Sequence, residues 1–305
     1  MYTLTPLANK VFGAEIRNIS LSTVKLNDEL IQRIKQDLAQ HRLLIFKGQG
    51  MVTGDRQVEL SKKLGRIEST FYKHPRSPHP DVFRVSNLEE EGCTSVGRTG
   101  WHLDGTFQAR PFKYQTMHFH SVIQGGDTLF IPLREFYERQ DVKTQERWSR
   151  LWFATGRDSA HPMVYVHPIR ADTTMLFHCG RPFCAGWLEE AVQAESQPNR
   201  EPINLNDAKV LTPTSIQDEL TESIWDAFDS IGHRQEWAVG DFAIVDNLGL
   251  VHYADEGTQQ GPEAGLRVLH RTTIQGDTAP FKADGRSSMP IDDARLVAVR
   301  PRVRR

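Results

Sequence analysis

Cysteine is nearly missing from this chain: Cys93, Cys179 and Cys184 are the only three in 305 residues. An odd, low count argues against a disulfide framework and leads us to expect a reducing, cytoplasmic setting. No two of them have the spacing of a structural zinc site. Long hydrophobic runs are lacking too. None reaches the roughly 20 residues that cross a bilayer. The opening Met1-Tyr2-Thr3-Leu4-Thr5-Pro6 has neither the charged nor the apolar region of a secretory leader, so no membrane partner is expected. There is no excess of charge of either sign. Lys and Arg number 37 and Asp and Glu 39, giving a net charge of −2, which argues against a nucleic-acid partner. The one basic run, Arg300-Pro301-Arg302-Val303-Arg304-Arg305, is short and reads as a solvated tail.

What is present fits a soluble globular protein, 38% hydrophobic and 25% charged. Without repeats or a clear linker, we expect one domain over residues 1–305, with an insertion at about 134–215 and the short basic tail. Apolar residues at helical period predict a helix over 27–40, followed by a buried strand Leu43-Leu44-Ile45-Phe46 and a second helix over 57–64. Strand signals then dominate. They cover 114–123, 128–131 after the turn Gly125-Gly126-Asp127, 163–166, 174–177, 241–245 and 266–274. The stretch 134–160 reads as polar and partly helical. Thr214 with Gln217 forms a capping box for a helix carrying Ile216, Leu220, Ile224 and Phe228 and ending before Gly232. The pattern predicts an α+β fold: a double-layered β core with flanking helices.

Chemistry concentrates in Gly100-Trp101-His102-Leu103-Asp104-Gly105-Thr106. A His-x-acid tripeptide alone is weak, because this composition yields about 1.5 by chance; His79-Pro80-Asp81 is such a decoy. On a strand, however, His102 and Asp104 share one face and meet one metal, while Trp101 and Leu103 turn to a packing layer. His252, just after an apolar strand, supplies a third ligand. Two histidines and one carboxylate suit a non-haem Fe(II) with open positions.

These segments resemble the taurine dioxygenase family of Fe(II)- and 2-oxoglutarate-dependent oxygenases over roughly residues 5 to 285. The resemblance rests on Trp101-His102-Leu103-Asp104-Gly105-Thr106-Phe107, on Gly125-Gly126-Asp127-Thr128-Leu129-Phe130, on the run from Glu236 to Asn247, and on Arg267-Val268-Leu269-His270-Arg271-Thr272-Thr273-Ile274. It implies a jelly-roll core and His102, Asp104 and His252 as the metal and catalytic set. It also implies Thr128 and Arg267 on the distal carboxylate of 2-oxoglutarate. A guanidinium suits that role independently, because it offers paired donors to a carboxylate. Arg271 shares a strand face with Arg267 and is expected to hold an anionic group of the primary substrate. His74 and Arg98 are expected to touch that substrate as well.

The implied reaction consumes Fe(II), 2-oxoglutarate and O2, releases succinate and CO2, and removes hydrogen from an aliphatic C–H of a small anionic, amino-acid-like or sulfonate-like substrate. Hydroxylation, desaturation and oxidative cyclisation stay open as outcomes. The wording of residues 97–105 is also similar to red-algal kainoid synthases, which close a ring on an N-prenylated glutamate. Family members form dimers or tetramers, so the resemblance allows a homo-oligomer. The segment 178–184, and Leu248 where an arginine is usual, depart from the family pattern and put taurine itself in doubt. Two readings of other classes compete: a non-catalytic β-barrel that binds acidic ligands, and a zinc hydrolase built on the same triad.

Overall fold

The computed structural model describes residues 2–8, 11–69, 73–94, 96–97, 100–155, 159–180, 183–192 and 205–291. Along the chain run β1 (Thr3–Pro6), β2 (Ala14–Arg17), α1 (Asp28–His41), β3 (Leu43–Phe46), α2 (Gly54–Leu64), β4 (Phe83–Ser86), β5 (Tyr114–Ser121) and β6 (Thr128–Pro132). Next come α3 (Leu133–Glu138), α4 (Val142–Ser149), β7 (Leu151–Thr155), β8 (Ser159–Pro162), β9 (Val164–Val166), β10 (Thr173–Met175), β11 (Cys184–Glu189) and β12 (Lys209–Leu211). The last group is α5 (Pro213–Ile231), β13 (His233–Gln235), β14 (Phe242–Asp246), β15 (Leu250–Ala254), β16 (Val268–Ile274) and β17 (Met289–Pro290).

Period-two alternation sorts these strands into layers. The large sheet has the order β1-β2-β3-β14-β5-β16-β4. Its outer face (Ile16, Leu44, Phe46, Phe242 and Ile244) packs under Ile31, Ile34 and Leu38 of α1 and Leu60 and Leu64 of α2. Its inner face (Leu43, Ile45, Met117, Phe119, Ala243, Val245 and Leu269) meets Phe130 and Leu250 of a three-stranded sheet, β13-β6-β15. That sheet turns Leu129, Ile131 and Val251 outward onto Trp101, Leu103, α3 and α5. The result is the expected jelly-roll core with helices on both sides. Residues of β6 and β15 with the parity of Phe130 and Leu250 therefore point between the sheets, and Thr128 and His252 have that parity.

The stretch 134–160 is partly helical, as expected: after α3 and α4 it supplies β7 and β8 to a five-stranded sheet, β12-β11-β7-β8-β17. Two local expectations need correction. No capping box opens α5: Thr212 is its N-cap, Pro213 takes the first position, and no side chain caps it. Proline's preset φ starts the helix there, and Gln217 instead donates to the His178 carbonyl at 3.1 Å. Finally, His102 to Asp104 is not a strand. His102 makes only isolated bridges, to His178 and His252, and the chain turns at Asp104. Gly105 takes φ +74°, and a Cβ there would lie 2.6 Å from the Phe112 ring, so a strand cannot continue past Asp104.

Burial makes the fold acid-sensitive. His161 is fully buried, and burial pushes it down to about 4. Above pH 6.5 neither the folded nor the unfolded chain protonates this residue. Below that, the unfolded chain binds a proton that the fold refuses, so stability falls with pH, by about 3 kcal/mol at pH 4 from this residue alone. Buried His270, pushed down to about 2 by burial and the neighbouring His120 and Arg84, adds in the same direction. Urea midpoints are expected to fall as pH drops from about 6.5 towards 4, and to fall less steeply in His161→Phe; a pH-independent wild-type midpoint would contradict this.

Candidate active site

His102 and His252 come from segments far apart in sequence, yet their backbones exchange hydrogen bonds, His102 N–H to the His252 carbonyl at 3.0 Å and the reverse at 3.1 Å. Their rings lie 4.3 Å apart. Asp104 turns its carboxylate to the same point, with Oδ2 at 3.5 Å from His252 Nε2. One ligand atom from each of the three falls within 4.8 Å of the others, and this is the one such group among the described residues.

The protonation states suit a divalent metal. Burial alone would raise the Asp104 carboxyl, but Arg271 and the imidazoles of His252, His102 and His178 hold it well below the usual carboxylate range. Burial, then His102, pushes His252 down to about 3, and burial also lowers His102. The set is thus one carboxylate and two neutral imidazoles. His102 Nδ1–H donates to the Gly100 carbonyl at 2.7 Å, which fixes the tautomer and leaves the Nε2 lone pair for a metal.

Asp104 is positioned by a residue that carried no role in the sequence reading. The Asn247 side chain accepts from Asp104 N–H at 3.0 Å and donates to the Asp104 carbonyl at 3.0 Å and the Phe112 carbonyl at 2.7 Å. These bonds replace the strand ladder that Asp104 lacks. Outer partners of this kind are worth about 10- to 100-fold in metal affinity. Asn247→Ala is expected to weaken Fe(II) binding by that factor with Asp104 still present. Unchanged Fe(II) affinity in an anaerobic titration would rule the role out.

Arg271 Nη1 donates to Asp104 Oδ2 at 2.6 Å, while its Nε–H is buried without an acceptor. Arg267 is 4% exposed, and burial pushes its guanidinium down to about 10. The opposing charge it feels is Asp127, which itself pairs with Arg234. Arg267 lies over Phe119, Phe119 stacks on Trp237 at 4.0 Å, and Trp237 Nε1–H donates to Thr128 Oγ1 at 3.0 Å. Arg267 and Thr128 thus flank one aromatic stack. A side chain at Gly126 would press within 3.3 Å of Arg267 Cδ, so the Gly125-Gly126 turn leaves room for the guanidinium.

Of the two expected substrate residues, His74 is not brought into this cluster. His74 spends both ring nitrogens on backbone: Nε2–H donates to the Glu89 carbonyl at 3.0 Å and Nδ1 accepts from Arg76 N–H at 3.2 Å. Arg98 lies outside the described residues. The structure adds His178, whose buried ring stacks on His102 at 4.8 Å and leans on Phe183 at 4.5 Å. Its segment had stood out only as a departure from the family pattern.

The profile of the taurine catabolism dioxygenase TauD, TfdA family matches residues 3–273. The chain belongs to this family. An alpha-ketoglutarate-dependent sulfate ester dioxygenase of Pseudomonas putida is 27% identical over 93% of this chain and 92% of that protein. A (S)-phenoxypropionate/alpha-ketoglutarate-dioxygenase of Delftia acidovorans is 24% identical over 90% and 94%. Among solved structures, a taurine dioxygenase from Burkholderia xenovorans superposes with a TM-score of 0.72 at 22% identity, covering 98% of this chain and 97% of that one, which shows the shared fold. As a member of the TauD and TfdA family, the chain is an alpha-ketoglutarate-dependent dioxygenase, an oxidoreductase using Fe(II), 2-oxoglutarate and O2. No helix among the described residues is long and apolar enough to cross a membrane.

Proposed function

We propose that one catalytic domain holds Fe(II) on His102, Asp104 and His252, binds the distal carboxylate of 2-oxoglutarate on Arg267 and Thr128, and seats the charged group of a small anionic substrate near Arg271. The observation that carries this reading is the His-Asp-His cluster with the buried Arg271 bonded to its carboxylate, together with the buried Arg267 guanidinium over the aromatic stack that Thr128 also joins. Arg267 has no ion pair among the described residues, and Arg271 keeps one buried N–H without an acceptor. A buried cation without a paired anion is costly, and a bound dicarboxylate relieves that cost.

Bound Fe(II) supplies the activation of dioxygen, with 2-oxoglutarate decarboxylated to succinate and CO2 as an aliphatic C–H of the substrate is oxidised. The chain's own groups do the positioning. Asp104, held ionised by Arg271, supplies the anionic ligand. The His102 bond to Gly100 and the Asn247 clamp fix the ligands before metal arrives. Thr128 Oγ1 accepts from Trp237, which leaves its own O–H to donate to a bound carboxylate oxygen. Phe130 and Phe119 are buried between the sheets, Phe130 against His252 and Phe119 under Arg267.

The relatives act on a sulfate ester and on phenoxypropionate, according to their names, and both are small anions with an apolar body. The first panel should therefore hold alkyl sulfates, 2-phenoxypropionates, alkyl sulfonates and acidic amino acids, including an N-prenylated glutamate. We expect an anionic compound with an apolar body to stimulate succinate release, and its product mass to separate hydroxylation from desaturation or cyclisation. Stimulation by neutral analogues and not by anions would overturn the assignment of Arg271.

A further inference from the structure

Four of the six tryptophans have an ordinary partner for the indole N–H: Trp148 on Glu219, Trp152 on Glu190, Trp187 on the Pro213 carbonyl and Trp237 on Thr128. The other two are different, and they touch. Trp101 is fully buried and its Nε1–H has no acceptor. Trp225, on α5, is 43% exposed. Their rings meet edge-on with centroids 5.3 Å apart. Tyr253 closes the triangle, 5.4 Å from Trp101 and 5.8 Å from Trp225, and Phe228 packs against both indoles. Trp101 immediately precedes His102, and Tyr253 immediately follows His252. An unbroken set of ring contacts therefore runs from the neighbours of two iron ligands to the protein surface.

We propose that Trp101, Tyr253 and Trp225 form a one-electron relay that discharges the iron centre when it has been oxidised with no substrate in place to receive the oxidation. The proposal rests on the oxygenase reading of the site. Indole and phenol rings are the readily oxidised aromatic side chains, and ring contact couples them electronically. One electron would leave Trp225, pass through Trp101 and lower the oxidised centre by one unit; a second, drawn the same way once the indole has been restored, would complete the return to Fe(II), with two protons from water carrying the activated oxygen off as water. The Trp225 N–H proton goes to water, leaving an indolyl radical.

Direction follows from the surroundings of the two indoles. With no acceptor for its N–H, oxidised Trp101 keeps its proton and stays a strong oxidant. Exposed Trp225 loses its proton to solvent, which makes it the sink. A small one-electron reductant, such as an enediol or a thiol, then returns the electron, and a proton from water restores the indole. Without such a reductant, dioxygen forms a C–O bond to the Trp225 ring.

The test is substrate-free turnover of the Fe(II)-loaded full chain with 2-oxoglutarate and oxygen, followed by succinate assay and peptide mass spectrometry. We expect added oxygen at Trp225, suppressed by ascorbate and missing from zinc-loaded protein. Trp225→Phe preserves the packing on Trp101 and should melt as the wild type does. In it, added oxygen is expected to move inward to Tyr253 or Trp101, and inactivation per succinate formed to rise several-fold. Succinate release with Trp225 unmodified would overturn the relay. So would equal modification in zinc-loaded protein, or an unchanged oxidation pattern and inactivation yield in Trp225→Phe. Failure to form any succinate would instead sink the oxygenase reading itself.

Discussion

Asp104→Ala is expected to reduce succinate formation to background and to abolish tight Fe(II) binding. Asp104 is the only anionic member of the ligand cluster, so its loss leaves two neutral imidazoles to hold a dication. The damage extends beyond the metal. Arg271, 8% exposed and bonded to Asp104 at 2.6 Å, is left buried and unpaired. Removing one partner of a buried pair costs about 3 to 5 kcal/mol. The metal-free variant should therefore unfold at lower urea than the metal-free wild type, and Arg271→Leu added to it should recover part of the loss. Succinate formation at the wild-type rate in Asp104→Ala would remove this carboxylate from the site.

Arg267→Met has an equally large expected effect, with a different signature. Losing the cation from a buried charge pair costs about 2 to 5 kcal/mol of binding. The dissociation constant for 2-oxoglutarate should thus rise by roughly 30-fold or more. Metal-free, cosubstrate-free protein should lose no stability, because in that state the Arg267 guanidinium is buried with no paired carboxylate. Wild type at a 2-oxoglutarate concentration 100 times its dissociation constant should gain about 2.7 kcal/mol against urea, and the variant should gain almost none. Unaltered 2-oxoglutarate affinity by anaerobic calorimetry would refute the role of Arg267. A large loss of stability without ligand would mean instead that this side chain serves packing.

Much of this was legible in the sequence, and the reasons are local. Strands alternate with period two, which set the shared face of Arg267 and Arg271, whereas the roles of Thr128 and Arg267 came from the family resemblance; in the structure Thr128 and His252 have the parity that points between the two sheets. Segments held by tertiary contacts were not legible. Asp104 reaches the cluster from a turn clamped by Asn247, whose side chain bonds backbone 143 residues away in sequence. Periodicity cannot report such a bond, although an Asp-Asn pair ending an apolar strand hints at one. His178 is brought onto His102 by an isolated bridge, and both ring nitrogens of His74 are spent on backbone groups, of Glu89 and Arg76. The start of α5 was misplaced because Pro213 outranks Thr214 as a starting signal. The kainoid wording rests on residues 97–105, of which 98 and 99 fall outside the described residues, so the fold adds nothing to that comparison.

The central claim is that this triad, with Arg267, turns oxygen and 2-oxoglutarate into succinate. The most direct measurement is succinate and CO2 released when oxygen is admitted to anaerobic Fe(II)-loaded protein with 2-oxoglutarate, run beside Asp104→Ala and zinc-loaded wild type. The account predicts iron-dependent succinate from the wild type, stimulated by an anionic substrate, and none from either control. No succinate from the iron-loaded wild type with any anion tried, or equal succinate from all three, would contradict it.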